Sequence, residues 1–149
     1  MAVSSICNYN VATISPDAGI VEAAARMREE HVGDLIVVEY RQGKRIPVGI
    51  LTDRDIVVGV IAKEVDPNAV KVGDVMSSEL LTVREDNGIE FALREMRRAG
   101  VRRAPVVSAE DELVGVLSID DALDHVATQL GHIADIIRLG QQLESATRP

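Results

Sequence analysis

The sequence has no tryptophan, one cysteine, and only Tyr9, Tyr40 and Phe91 as aromatic residues. With 2% aromatic content, stacking platforms for single-stranded nucleic acid are largely missing. The lone Cys7 excludes an intrachain disulfide and a cysteine-based zinc site. Positive charge is also scarce: 16 Lys and Arg stand against 24 Asp and Glu, a net charge of −8. That balance argues against nucleic acid or an anionic membrane as the main partner, although a small local basic pocket stays compatible with it. No apolar run approaches membrane-spanning length, and Met1-Ala2-Val3 opens no signal peptide. The expectation is a soluble cytoplasmic protein.

The chain does have an ample apolar fraction, 46% of 149 residues. That is enough for one domain or two very small ones, with a core of Val, Ile, Leu, Ala and Met. It also repeats itself. Shifted by 69 positions, Val3 meets Val72, Cys7 meets Met76, Thr13 meets Thr82, Asp17 meets Asp86, and Met27 meets Met96. A three-residue gap at Tyr40–Arg45 changes the shift to 66, after which Val48-Gly49-Ile50-Leu51 meets Val114-Gly115-Val116-Leu117. An ordered series of Thr, Asp, Gly and Met matches with one gap marks an internal duplication.

Both units read alike. A short strand is expected to end near Thr13 or Thr82. A helix follows, with Ile20, Ala24 and Met27, or Ile89, Leu93 and Met96, on one apolar face. Ser15-Pro16-Asp17 and Asp86-Asn87 are helix-start residue types, and the helices are expected to end near Gly33 and Gly100. Leu35–Val38 and Ala104–Val107 read as strands buried on both faces. Turns at Arg41–Lys44 and Ala109–Glu112 lead to strands Val48–Leu51 and Val114–Leu117, with helices starting at Asp53 and Ile119. The fold class is therefore α+β or α/β, two β-α-β-β-α repeats packed with internal pseudo-two-fold symmetry. The expected divisions are a first repeat at 1–68, a second at 69–131 and a helical extension at 132–149. Neither repeat alone covers its sheet, so the two should complete one core.

The most informative pattern closes each second strand: Gly49-Ile50-Leu51-Thr52-Asp53-Arg54-Asp55 and Gly115-Val116-Leu117-Ser118-Ile119-Asp120-Asp121. A hydroxyl residue followed three positions later by an acid is a capping box in outline. The same placement suits a ligand, since a helix start offers free N–H groups to phosphate and a carboxylate can accept from ribose hydroxyls. Capping alone does not explain why a glycine and two apolar residues recur before it.

This duplicated Gly-apolar-apolar-Thr/Ser-x-x-Asp pattern resembles the CBS-domain pair, or Bateman module, of stand-alone bacterial type. Val72-Gly73-Asp74-Val75-Met76 and Val101-Arg102-Arg103-Ala104-Pro105-Val106-Val107 are similar to that family's opening and central-strand segments, and the likeness covers about residues 3 to 131. Ile6-Cys7 departs from the usual Val-Met. The resemblance implies clefts between the repeats that hold adenosine compounds: AMP, ADP or ATP, or else S-adenosylmethionine or NAD(H). It places Thr52, Asp55, Ser118 and Asp121 at phosphate and ribose, Thr13 and Thr82 beside the base, and Leu35-Ile36 and Ala104-Pro105 along the adenine. It also implies a homodimer, and no catalytic cofactor.

The two sites should differ. Arg54 has Asp120 as its counterpart, and Gly33-Asp34 has Arg102-Arg103. The site with Thr52, Arg54 and Asp55 is expected to favour phosphorylated ligands, with Arg102 and Arg103 reaching in from the central cleft. Surface arginines are the alternative reading. His125 and His132 lie seven apart on one helix, about 10 Å, too far to share a metal. Val126, Leu130, Ile133 and Ile137 form an apolar stripe that packs either on its own module or on a partner. No nucleophile–base set or Gly-rich phosphate loop is visible, so no enzyme is expected. The leading reading is a sensor of adenine nucleotides that acts in trans on an unknown regulated protein. The alternatives are a pure interaction or dimerisation module, and, more weakly, a nucleotide hydrolase.

Overall fold

The computed structural model describes residues 1–148. In the first half, β1 (Thr13–Ile14) leads to α1 (Ile20–Glu30), β2 (Asp34–Arg41), β3 (Lys44–Thr52) and α2 (Asp53–Ile56), which is followed directly by a π-helical stretch, Val57–Ile61. The second half runs through a one-turn helix α3 (Val72–Val75), β4 (Val83–Arg84), α4 (Ile89–Ala99), β5 (Arg103–Val107), β6 (Leu113–Ser118) and α5 (Ile119–Thr147). Each half makes a three-stranded sheet, in the orders β1-β2-β3 and β4-β5-β6. In both sheets the first pair is parallel and the second antiparallel. Equivalent irregularities interrupt the register at Val37/Val38 and Val106/Val107. This is the β-α-β-β-α order, twice. The two-residue β2–β3 turn has positive φ at Gln42 and Gly43, a backbone twist that matches the strands it joins.

Several local expectations shift. The short strands start at Thr13 and just after Thr82, where a strand end was expected. Helices α1 and α4 start at isoleucines capped by Gly19 and Gly88. Ser15 and Asn87 instead close the preceding turns, accepting from the amides of Asp17 and Arg84. Helix α1 ends at a left-handed His31 and not at Gly33; Gly100 plays that role for α4. On α1 the buried side chains are Ile20, Ala23 and Met27, while Ala24 faces out. One residue of phase, about 100° of helix, decides between the two alanines.

The two halves exchange their opening segments. Val3 and Cys7 pack with Val83, Ala92, Met96, Ala104, Val106 and Leu117 of the second half. Val72 packs with Ile14, Ile20, Met27, Leu35, Leu51 and Val60 of the first. Backbone hydrogen bonds follow the same exchange: Val3 N donates to Asn87 O, and Val72 N to Ala18 O. A third cluster, Ile36, Val38, Leu113 and Val116, joins the sheets directly. Successive residues of β2 thus face different cores, Leu35 its own helices and Ile36 the other repeat, which is why the whole run Leu35–Val38 is buried. Each half is completed by apolar surface from the other, so the apolar burial that drives folding is shared between them.

Candidate functional site

The sheets meet with their strand ends at two related clefts. Before the clefts comes a pair of close backbone contacts. Asn8 exchanges two backbone hydrogen bonds with Val116, and Ser77 exchanges two with Ile50. These contacts correspond under the internal repeat. Each presses a carbonyl against the strand glycine beside it. A Cβ on Gly49 would lie 2.7 Å from Ser77 O, and one on Gly115 would lie 2.9 Å from Asn8 O. No side chain fits there, which accounts for the glycine that capping left unexplained.

The larger cleft, about 560 Å³, is bounded by Thr52, Asp53 and Arg54 of the first repeat and by Leu81, Arg102 and Arg103 of the second. Ser77, Glu79 and Asp120 also line it. The smaller cleft, about 90 Å³, takes Ser118 and Asp121 from the second repeat and Asn8, Asn10, Ala12 and Ile36 from the first. Each cleft therefore combines the hydroxyl strand end of one repeat with the opening segment and central strand of the other.

The hydroxyl–acid pairs are engaged as caps. Thr52 N donates to Asp55 Oδ2 at 2.9 Å, and Asp55 N donates to Thr52 Oγ1 at 3.1 Å, a complete reciprocal box. In the second repeat Asp121 N donates to Ser118 Oγ at 3.0 Å, and the hydroxyl donates to Asp121 Oδ2 at 2.5 Å. Thr52 nevertheless opens into the larger cleft, while Asp55 turns back on the chain and is not part of its wall.

Charge is concentrated in the larger cleft. Arg103 Nη1 lies 2.9 Å from Asp34 Oδ1, and both residues border both clefts. Arg102 Nη2 lies 3.7 Å from Asp120 Oδ1. Arg54 has no ion pair among the described residues. Burial pushes the Asp34 carboxyl above its ordinary range, with Arg103 opposing the shift and Asp53 adding to it. Asp34 is only 13% exposed at its side chain, against 47% for Arg103, so the carboxylate bears most of the desolvation.

Other expected site residues lie elsewhere. Leu35 and Ala104 are fully buried in the two helical cores, and Pro105 is buried in β5, leaving their backbone rather than their side chains for a ligand. Ile36 reaches the smaller cleft. Thr13 sits in neither cleft; its carbonyl accepts from the Arg26 guanidinium and it borders a separate surface groove. Thr82 is exposed, one residue beyond Leu81. The segment Ser77–Leu81 was not singled out from sequence. The signal for it was the strand glycine, which requires a close neighbour. Among the described residues no group of His, Cys, Asp and Glu is arranged to hold a metal. Nor is any helix there long and apolar enough to cross a membrane.

Two intertwined β-α-β-β-α repeats with paired clefts at their strand ends define a tandem-repeat module. The sequence profile of the CBS domain matches residues 3–61 and again 72–128, and the chain belongs to the CBS domain family. It is 37% identical over 120 residues to the CBS domain-containing protein YhcV of Bacillus subtilis, covering 80% of this chain and 81% of that one. It is 33% identical to hypoxic response protein 1 of Mycobacterium tuberculosis, covering 81% and 82%. An uncharacterised Methanopyrus kandleri protein is longer: the 33% identical match spans 61% of its length. Among solved structures, PAE2072 from Pyrobaculum aerophilum, complexed with AMP, superposes with a TM-score of 0.72 at 28% identity, covering 81% of this chain and 89% of that one.

Proposed function

We propose that this chain is a regulatory module that binds an adenine nucleotide in the larger cleft and transmits occupancy to a separate protein. The observation that carries the reading is the convergence of Arg54, Arg102 and Arg103 with Thr52 on one cleft of about 560 Å³, a size suited to a small ligand. Two of the three arginines are paired with carboxylates there. A phosphate would replace Asp34 and Asp120 as their partner in charge-assisted, bidentate geometry. That PAE2072 was solved with AMP supports an adenosine ligand for a relative of this fold. The smaller cleft, about 90 Å³, has no room for a nucleotide without rearrangement, so the proposed stoichiometry is one per chain. The reading is of binding without turnover: the ligand shifts the packing of the two repeats by its differential affinity for their arrangements.

A second reading, an interaction module with empty clefts, draws on one observation: the Thr52–Asp55 box is fully satisfied without a ligand. Thermal unfolding with AMP, ADP, ATP, S-adenosylmethionine and NAD separates the two. A nucleotide at 100 times its dissociation constant stabilises by about 2.7 kcal/mol, roughly 5–10 °C for a chain of this size. Titration of Arg54→Ala should then show at least tenfold weaker binding. No shift with any of the five at millimolar concentration would reject nucleotide sensing, and release of phosphate or base from a bound nucleotide would reject binding without turnover.

A further inference from the structure

We infer that the outward face of α4 is a docking surface for an acidic segment of a partner protein, anchored by Phe91 and held by Arg94, Arg97 and Arg98. The two repeats supply the comparison. Helices α1 and α4 have the same length, and Ala23 and Met27 of one are buried at the positions equivalent to Ala92 and Met96 of the other. Whatever the shared fold asks of this helix, it asks of both. Their outward faces differ. Phe91, Arg94 and Arg98 follow at steps of three and four on the side away from Ala92 and Met96, and all three are exposed. The equivalent stripe of α1 reads Glu22, Ala25 and Glu29, also exposed. Folding accounts for the inward face and leaves the α4 stripe unexplained.

The stripe does not have the composition of a solvated surface. Phe91 is the only phenylalanine of the chain, and it is 43% exposed. The Arg94 guanidinium lies 5.6 Å from the centre of its ring, which holds a cation over an apolar face. Aromatic and arginine side chains carry much of the binding energy of protein interfaces. Arg94 and Arg97 have no carboxylate partner among the described residues, and Arg98 reaches Glu95 at 3.2 Å. Cations in the last turn favour a helix, which accounts in part for Arg97 and Arg98, as it does for Arg28 of α1. It does not account for Phe91 or Arg94, which stand earlier on α4.

Charge selects the partner. Residues 94–103 hold Arg94, Arg97, Arg98, Arg102 and Arg103 against Glu95, a net charge of +4 in a chain of −8. The equivalent residues 25–34 hold Arg26 and Arg28 against Glu29, Glu30 and Asp34, a net charge of −1 with a neutral histidine. An acidic segment is drawn to the α4 strip and repelled by most of the remaining surface, so it has one place to settle. An apolar side chain on that segment covers Phe91. The helix has 11 residues and is roughly 16 Å long, the reach of a short segment. The strip continues through Arg102 and Arg103 into the wall of the larger cleft. A nucleic acid is a poorer fit, since its phosphates span more cations than α4 offers and the acidic remainder of the chain opposes them.

The probe is a fluorescein-labelled peptide, Glu-Glu-Leu-Glu-Glu-Leu-Glu-Glu, followed by fluorescence anisotropy with the full chain at low salt. Saturable binding that weakens as salt rises is expected. Arg94→Glu should weaken it roughly tenfold and Phe91→Ala roughly threefold. Both positions are exposed, so thermal unfolding should be retained. Arg28→Glu makes the same charge change at an exposed position of α1 and should leave binding as it was. No binding to the unaltered chain would overturn the inference. So would equal losses in Arg28→Glu and Arg94→Glu, because the field of the whole chain would then be responsible. A peptide with glycine in place of both leucines that binds as tightly, with Phe91→Ala silent, would overturn the anchored segment in favour of a plain anion site. An oligonucleotide of matched length that binds more tightly, and is lost in the same variants, would overturn it in favour of nucleic acid. None of these variants alters the arginines of the cleft, so nucleotide binding is read separately and either result stands without the other.

Discussion

Asp34 and Arg103 occupy equivalent positions in the two repeats, and they touch, Arg103 Nη1 lying 2.9 Å from Asp34 Oδ1. Equivalent positions can meet only on the pseudo-two-fold axis. Near the two hairpin turns Lys44 and Glu110 form a second ion pair between the repeats. Identical charged residues at the Asp34 and Arg103 positions would face their own like charge. Opposite signs turn the axis into an attraction and make the two clefts unequal. Reversal of one partner, Asp34→Arg or Arg103→Asp, should therefore lower the unfolding midpoint, and the exchanged pair Asp34→Arg/Arg103→Asp should recover most of the loss. The coupling should be about 1 kcal/mol, at the lower end for contacting residues because Arg103 is half exposed. Additive losses in the double-mutant cycle would reject the axial attraction.

Nucleotide binding should depend on pH through Asp34. Its carboxyl titrates above its ordinary range because it is buried, and Arg103 partly offsets this. A phosphate that draws Arg103 away raises it further, so binding takes up a proton and affinity grows as pH falls through the Asp34 titration. Titration calorimetry in buffers of different ionisation enthalpy measures that uptake. Asp34→Asn should abolish it and bind more tightly at pH 7. In the free protein the same shift has a defined sign. A raised carboxyl contributes stability below its unfolded value and loses it as pH rises through the folded one.

Gly49→Ala and Gly115→Ala should both destabilise the module, Gly49→Ala more so. The new methyl would meet backbone carbonyls at 2.7 and 2.9 Å, and backbone cannot swing aside as a side chain can. Overpacking of this kind costs about 1–3 kcal/mol, several degrees of Tm for a chain of this size. Gly131→Ala, with open space around it, should instead be neutral or stabilising. Equal melting of all three variants would refute the close-approach account.

Thr52→Ala removes the hydroxyl that accepts from Asp55 N, a loss of about 1 kcal/mol in stability. Thr52→Ser should restore stability. If the hydroxyl also contacts ligand, Ser should restore nucleotide affinity as well. Stability restored without affinity would confine Thr52 to capping.

Val3→Ala should loosen the second repeat although Val3 belongs to the first in sequence. It is fully buried against Val83, Ala92 and Leu117, and the truncation should cost about 2 kcal/mol. Cys7 lies in the same cluster, with its thiol pushed up by burial. Its alkylation should be slow in the unaltered protein and clearly faster in Val3→Ala. An unchanged labelling rate would argue against the exchanged packing.

Much of this architecture is written in the order of residue types. Periodicity and duplication gave the two β-α-β-β-α units, the four buried residues of each central strand, and the hydroxyl–acid pairs at the strand ends. These are local properties: a strand with no polar member needs cover on both faces, and a hydroxyl three residues before an acid closes a helix start wherever it lies. Helix starts and phase were less legible. Glycine holds the N-cap of both helices with no side-chain hydrogen bond to mark it, and one alanine is as apolar as the next.

What tertiary structure alone decided is which halves belong together. The segments that begin each repeat pack on the other one, so Thr52 and Arg54 share a cleft with Leu81 and Arg103 and not with Thr13 or Leu35. Nothing local in either repeat encodes that choice, because the opening segments carry the same kind of apolar residues, Val3 and Cys7 in one and Val72 and Met76 in the other. The exchange is settled by long-range geometry. The close contact of Ser77 with Gly49, and of Asn8 with Gly115, is the meeting of strand edges that only two folded repeats can bring into register.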